Sequence, residues 1–179
     1  MGAALAVALT TFAAEGERPP WLGKIRKDHP RMFFNRDTWP QLVARAKGEA
    51  AGELKSLLAR CDRYPTNPVC SGTDNPKPKD GLTVDYHHTG IPPIVEWGTQ
   101  SAECALAWRF TGKATYLEKA KAMLRANIKG YQEAYRNGRA VNWYSTTRVN
   151  SLCAYDWIHE ALTDDERREI IAEYLIRII

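Results

Sequence analysis

The sequence has no apolar run long enough to cross a bilayer, no block of like charge and no Cys-x-x-Cys pair. A spanning helix needs about twenty apolar residues, and the longest run, Ala3 to Ala14, falls well short of that. Lys and Arg are scattered, and the net charge is only +4. So small an excess gives no argument for a nucleic-acid partner and favours acidic partners only weakly. Without Cys-x-x-Cys spacing neither a zinc knuckle nor a dithiol redox motif is indicated. Cysteine is sparse, at four residues, which is compatible with an oxidising compartment without requiring one. Cys61 and Cys70 flank a Pro-containing loop and are expected to pair after export, whereas Cys104 and Cys153 sit inside helical patterns and read as small core residues.

What is present is globular composition: 44% hydrophobic and 26% charged residues in a chain of 179, enough for one ordinary core. Six Trp and eight Tyr are many for this length. Large rings anchor cores, and they also line grooves that stack on sugars. The run Ala3–Ala14, followed at once by Glu15, Glu17 and Arg18, fits the apolar region of a secretory signal. Thr11-Phe12-Ala13 supplies a small-x-small cleavage site, so residues 1–14 are expected to be a signal peptide and the mature protein periplasmic or secreted, off the membrane. The usual basic start is missing, because no Lys or Arg precedes Arg18; the true start lies upstream or the signal is atypical.

Residues 15–36 read as irregular, with Pro19-Pro20 and His29-Pro30. A helix is expected from Asp37 or Thr38, either of which can cap it, with Pro40 in the first turn. Leu42, Ala46, Ala50, Leu54, Leu57 and Leu58 carry its apolar face to Arg60. From 61 to 98, six prolines between Pro65 and Pro93 predict one long loop. Four helices in two pairs should follow. The first runs from Thr99 to Phe110 and stops at Thr111-Gly112; the second covers Ala114 to Ile128, with Leu117, Ala120, Leu124 and Ile128 on one face. The third runs from Ser145 to Glu160, with Val149, Leu152, Cys153 and Trp157 along one stripe. The fourth starts at Thr163, which forms a capping-box signature with Glu166, and presents Ile170, Ile171, Tyr174, Leu175 and Ile178. The pairs resemble each other: Ala107-Trp108 and Phe110 align with Ala154-Tyr155 and Trp157, and Tyr116, Leu117, Ala120 and Leu124 with Ile170, Ile171, Tyr174 and Ile178. Such repeats indicate stacked helical hairpins, each burying a face on the next. The sequence ends inside the fourth helix, so further hairpins are expected to follow.

His29-Pro30-Arg31-Met32-Phe33-Phe34, followed by the helix start Asp37-Thr38-Trp39, resembles the N-terminal opening of heparinase II/III-like proteins. Ala105 to Gly112, then Tyr116-Leu117-Glu118-Lys119-Ala120, is similar to that family's first toroid hairpin. Ala154-Tyr155-Asp156-Trp157, with Ala161-Leu162-Thr163 and Glu166-Arg167, is similar to its next. The resemblance covers most of 29–179, with 61–98 as its weakest part. It implies an all-α fold in which residues 37–179 form part of an incomplete (α/α) toroid. It also implies eliminative cleavage of a uronic-acid polysaccharide, with no cofactor. In that chemistry a base removes the proton at C5, an acid protonates the leaving oxygen, and polar groups neutralise the carboxylate. The family's Asn-His and later Tyr/His positions match no residue here, so the catalytic acid and base are unassigned.

Candidate substrate contacts come from the residues themselves. His87-His88, after Asp85-Tyr86, can touch substrate or bind a metal, although two adjacent His without a third ligand are more often solvated loop residues. Asn142-Trp143-Tyr144 with Arg148 precede or open the third helix. There the rings can stack on sugars and Arg148 can pair bidentately with a carboxylate or sulfate; the alternative is simple packing of the helix start. Asp156 falls on an apolar stripe, and Arg109 occupies the equivalent place in the first hairpin. An ion pair between them is expected, with a catalytic carboxylate, as in a glycoside hydrolase on an (α/α) barrel, as the sharper alternative. A third reading, a non-enzymatic helical-repeat binding module, rests on the tetratricopeptide-like Leu117-Glu118-Lys119-Ala120. The hairpin offset is longer than that unit's roughly 34-residue period.

Overall fold

A computed structural model describes residues 20–66, 68, 92–136 and 146–175. The expected signal peptide, Cys70, His87, His88, Asn142, Trp143 and Tyr144 lie outside the described residues. The chain is mostly helical, and no strand occurs among the described residues. The all-α expectation therefore holds.

A 3-10 turn at Pro20–Lys24 opens the described part. Arg26 then spans two acids, Asp28 at 2.8 Å and Asp37 at 2.7 Å, and folds the segment back on itself. Phe33 takes a left-handed backbone (φ 65°) that leaves its ring 82% exposed, while Phe34 turns into the protein. Asn35 Oδ1 accepts from the N–H groups of Asp37 and Thr38 at 2.9 and 3.2 Å, and Thr38 Oγ1 accepts from Asn35 N–H at 3.0 Å. This side-chain turn, rather than a cap by Thr38, launches the first helix, α1 (Trp39–Lys47).

The single helix expected as far as Arg60 is two. At Gly48 the N–H is shared between the carbonyls of Ala44 and Arg45, and the chain turns before α2 (Ala51–Arg63) begins. The loop predicted for 61–98 is shorter at both ends, because α2 continues to Arg63 and α3 (Pro92–Thr111) starts at Pro92. Pro92 and Pro93 open that helix instead of blocking it, since first-turn N–H groups have no intrahelical acceptor. Gly112 ends α3 with φ +68° and donates to Trp108 O at 2.7 Å. The next helix, α4 (Ala114–Arg136), passes through Gly130 and outruns the predicted end at Ile128. After it, α5 (Thr146–Ile158) tightens into a 3-10 turn, His159–Ala161. The last, α6 (Asp164–Ile170), carries the expected reciprocal capping box of Thr163 and Glu166 and widens into a π turn, Ile171–Leu175.

Helix α3 is central, packed on α4 along one side and α5 along another, with α2 lying against it. Small residues permit the close approach: Ala102, Cys104, Ala105 and Ala107 on α3, Ala120 on α4, and Cys153 and Ala154 on α5 are buried. Ser101 is buried too and donates to Ala120 O at 2.8 Å. The predicted roles of Ala120, Leu124 and Ile128, and of Cys104 and Cys153, are borne out. Val149 departs from its stripe and is 48% exposed, because the residues that cover this side of α5, 29 to 34, sit at the helix's other end. Ile170 is buried and Ile171 exposed, so the two do not share one open face.

Cross-helix contacts fix the directions. Asn150 meets Thr99 near the starts of α5 and α3, and Arg109 meets Glu160 near their ends, so these helices run parallel. Likewise Glu166 reaches Lys121 and Glu173 reaches Gln132, so α6 follows α4. The tight turns at 112–113 and 159–163 therefore lie at one end of the bundle. The long connection leading into Pro92 and that leaving Arg136 meet the other.

Candidate functional site

Arg148 stands at the end of the bundle where α3 and α5 begin and α4 ends. It is half-buried in the first turn of α5, with its guanidinium carbon 5.6 Å from the ring centroid of Tyr131 on α4. Planar stacking of this kind orients a guanidinium. Around it a polar seam crosses three helices. Asn150 Nδ2 donates to Thr99 Oγ1 at 2.9 Å, and the fully buried Asn127 Nδ2 donates to Ser151 Oγ at 2.5 Å. Arg148 is the one sequence-predicted contact within the described residues. Asn142, Trp143, Tyr144, His87 and His88 lie outside the described residues. Asn127, Thr99 and Asn150 were not anticipated, because nothing in a single sequence separates a polar seam from a solvated face.

At the opposite end the expected Arg109–Asp156 pair does not form. Asp156 is 3% exposed, and its partners come from the N-terminal segment. Oδ1 accepts from His29 Nδ1 at 2.5 Å, and Oδ2 accepts from the backbone N–H groups of Arg31 and Met32, both at 2.8 Å. Trp157 Nε1 completes the attachment by donating to Met32 O at 3.0 Å. Arg109 instead pairs with Glu160, one turn further along, and its guanidinium lies over the rings of Trp39 and Trp108 at 5.7 and 5.6 Å. The expectation failed because it looked for a partner on the neighbouring helix. The carboxylate was claimed by free N–H groups of an irregular segment, which need an acceptor wherever they are buried.

The His29 ring stacks on His159, centroids 3.7 Å apart, and Tyr155 meets both edge-on. Burial, helped by His29 and Arg167, pushes His159 below its ordinary value. An Asp–His pair can serve as a general base. Here both carboxylate oxygens are occupied by the protein's own donors, and the His29 side chain is only 12% exposed with a face covered by His159. The arrangement is a clamp that fastens residues 29–32 to α5.

A third cluster joins α2 to α3 and α4. Arg60 grips Glu103 through Nε and Nη2 at 3.0 and 2.8 Å, and Tyr64 also donates to Glu103. Burial and that carboxylate push the Tyr64 hydroxyl up. Tyr116 donates to Asp62 at 2.7 Å, which with burial raises it to about 12. Lys119, buried in the motif Leu117–Ala120, places its ammonium on the last carbonyls of α2, Cys61 O at 2.7 Å and Asp62 O at 3.0 Å. No group of three or more His, Cys, Asp or Glu among the described residues is placed to hold a metal ion.

Comparison with protein-family models, with curated proteins and with solved structures finds no match to this chain.

Proposed function

We propose that the chain forms part of an (α/α) toroid in a heparinase II/III-like polysaccharide lyase and supplies one wall of the cleft that binds an acidic polysaccharide. The observation that carries this reading is the placement of Arg148: a guanidinium steadied on Tyr131 at the end of the bundle where α3 begins and α4 ends. Long connections on a rigid helical scaffold are where binding groups concentrate. In this reading Arg148 pairs with a uronate carboxylate or sulfate, Trp143 and Tyr144 stack on sugar rings, and Asn142, His87 and His88 supply further polar contacts. The N-terminal opening adds support, because the His29-Pro30-Arg31-Met32 stretch that carries the family resemblance is built into the fold by Asp156 and Trp157, which carry it too.

The elimination needs a base at C5 and an acid at the leaving oxygen. Neither role is assigned to Asp156, whose oxygens are engaged, and that weighs against the paired-carboxylate hydrolase. No nucleotide cofactor is required by such chemistry.

The test is Arg148→Met in the intact protein, assayed by the ultraviolet absorbance of unsaturated uronate products. Loss of a bidentate charged contact should lower kcat/KM about tenfold or more, mainly through KM. Unchanged kinetics would remove Arg148 from the cleft.

A further inference from the structure

We infer that Cys61 of α2 and Cys104 of α3 close into a disulfide under oxidising conditions, tying the two helices together at the base of the long connection between them. The geometry starts one residue earlier on each helix. Arg60 and Glu103 form a two-point ion pair that holds α2 to α3 one residue before Cys61 and Cys104. Both thiols are fully buried in one core cluster, and they share a side-chain hydrogen bond. Lys119 binds Cys61 O at 2.7 Å and holds the end of α2 in this register. The partner of Cys61 expected from the sequence, Cys70, lies outside the described residues.

The two sulfurs are also unlike. The hydrogen bond from Cys104 holds the Cys61 thiol below its ordinary value against the opposing effect of burial, with Arg60 and Lys119 contributing. The Cys104 thiol is pushed up by that same contact and by burial. Either thiolate can open the exchange. With a low-molecular-weight disulfide such as oxidised glutathione as oxidant, Cys61 thiolate attacks one oxidant sulfur and expels the other as a thiol. Cys104, on losing its proton, then attacks the Cys61 sulfur of the mixed disulfide and expels the second thiol. Two protein thiols are oxidised and one oxidant disulfide is reduced to two thiols. Exchange takes place while the helices are still docking, and burial afterwards shields the bond from reduction.

The experiment refolds the intact, reduced protein in a buffer of reduced and oxidised glutathione, quenches with acid, alkylates free thiols and maps the peptides. The expected result is a Cys61–Cys104 linked peptide with Cys153 alkylated. Closing so long a stretch of chain should raise the unfolding midpoint by about 5 °C or more over the reduced form. Cys61→Ser and Cys104→Ser should each abolish that difference. A Cys61–Cys70 linkage, or four alkylated cysteines, would overturn the inference.

Discussion

Asp156 is the residue on which the N-terminal segment depends. Its two oxygens satisfy three donors that have no other acceptor among the described residues: one imidazole N–H and two backbone N–H groups. Asp156→Ala should therefore cost about 3–5 kcal/mol, because it strands buried polar groups rather than merely deleting a contact. Arg109 has its own partner in Glu160 and its own aromatic bed. The double variant Asp156→Ala with Arg109→Met should then be additive to within about 0.5 kcal/mol in denaturant titrations. A coupling above about 1 kcal/mol would restore the pair that the sequence pattern first suggested. That pattern located Asp156 as a buried carboxylate correctly, from its place on an apolar stripe. It could not name the partner, since donors in irregular backbone leave no periodic trace.

Among the elements, α6 shows local sequence chemistry acting through tertiary contacts. Burial opposes ionisation of Glu166, but the Thr163 N–H of the capping box and the cations of Lys121 and Arg125 outweigh it and bring the carboxyl to about 2. The folded-state value lies below the unfolded one, so the stabilisation is complete above about pH 4.5. It is lost as the pH falls from there toward about 2. Wild-type protein should lose about 2–3 kcal/mol more than Glu166→Gln across that window. Parallel pH profiles of the two would contradict the linkage. The capping box was legible because both partners lie within one turn. Helix lengths were less so. Pro92-Pro93 and Gly130 are breakers by propensity, yet prolines are harmless in a first turn and one glycine is tolerated in a helix packed along its length. Gly48 broke a pattern whose apolar spacing ran straight across it.

At the scale of the molecule, the two ends of the bundle differ in their contacts. The end with tight turns is closed by the Asp156 clamp, the Arg109–Glu160 pair and the rings of Phe34, Trp39, Phe110 and Trp157, with neighbouring centroids 5.0 to 5.2 Å apart. The other end, where α3 begins and α4 ends, carries Arg148, Tyr131 and the seam of Asn127, Ser151, Asn150 and Thr99. The helical class and most core positions could be read from spacing, because burial of a helix face is periodic. Of the site, Arg148 alone could be both named from the sequence and placed, while the residues that steady it come from different helices and share no motif. The central claim, that this wall belongs to a lyase cleft, is tested most directly by incubating the intact protein with heparan sulfate, alginate and hyaluronan and following the ultraviolet absorbance of new carbon–carbon double bonds. The account predicts that absorbance rises on at least one of them without added nucleotide and that Arg148→Met blunts the rise. Chain shortening by hydrolysis, with no absorbance change, would contradict it and assign the cleft to a glycosidase.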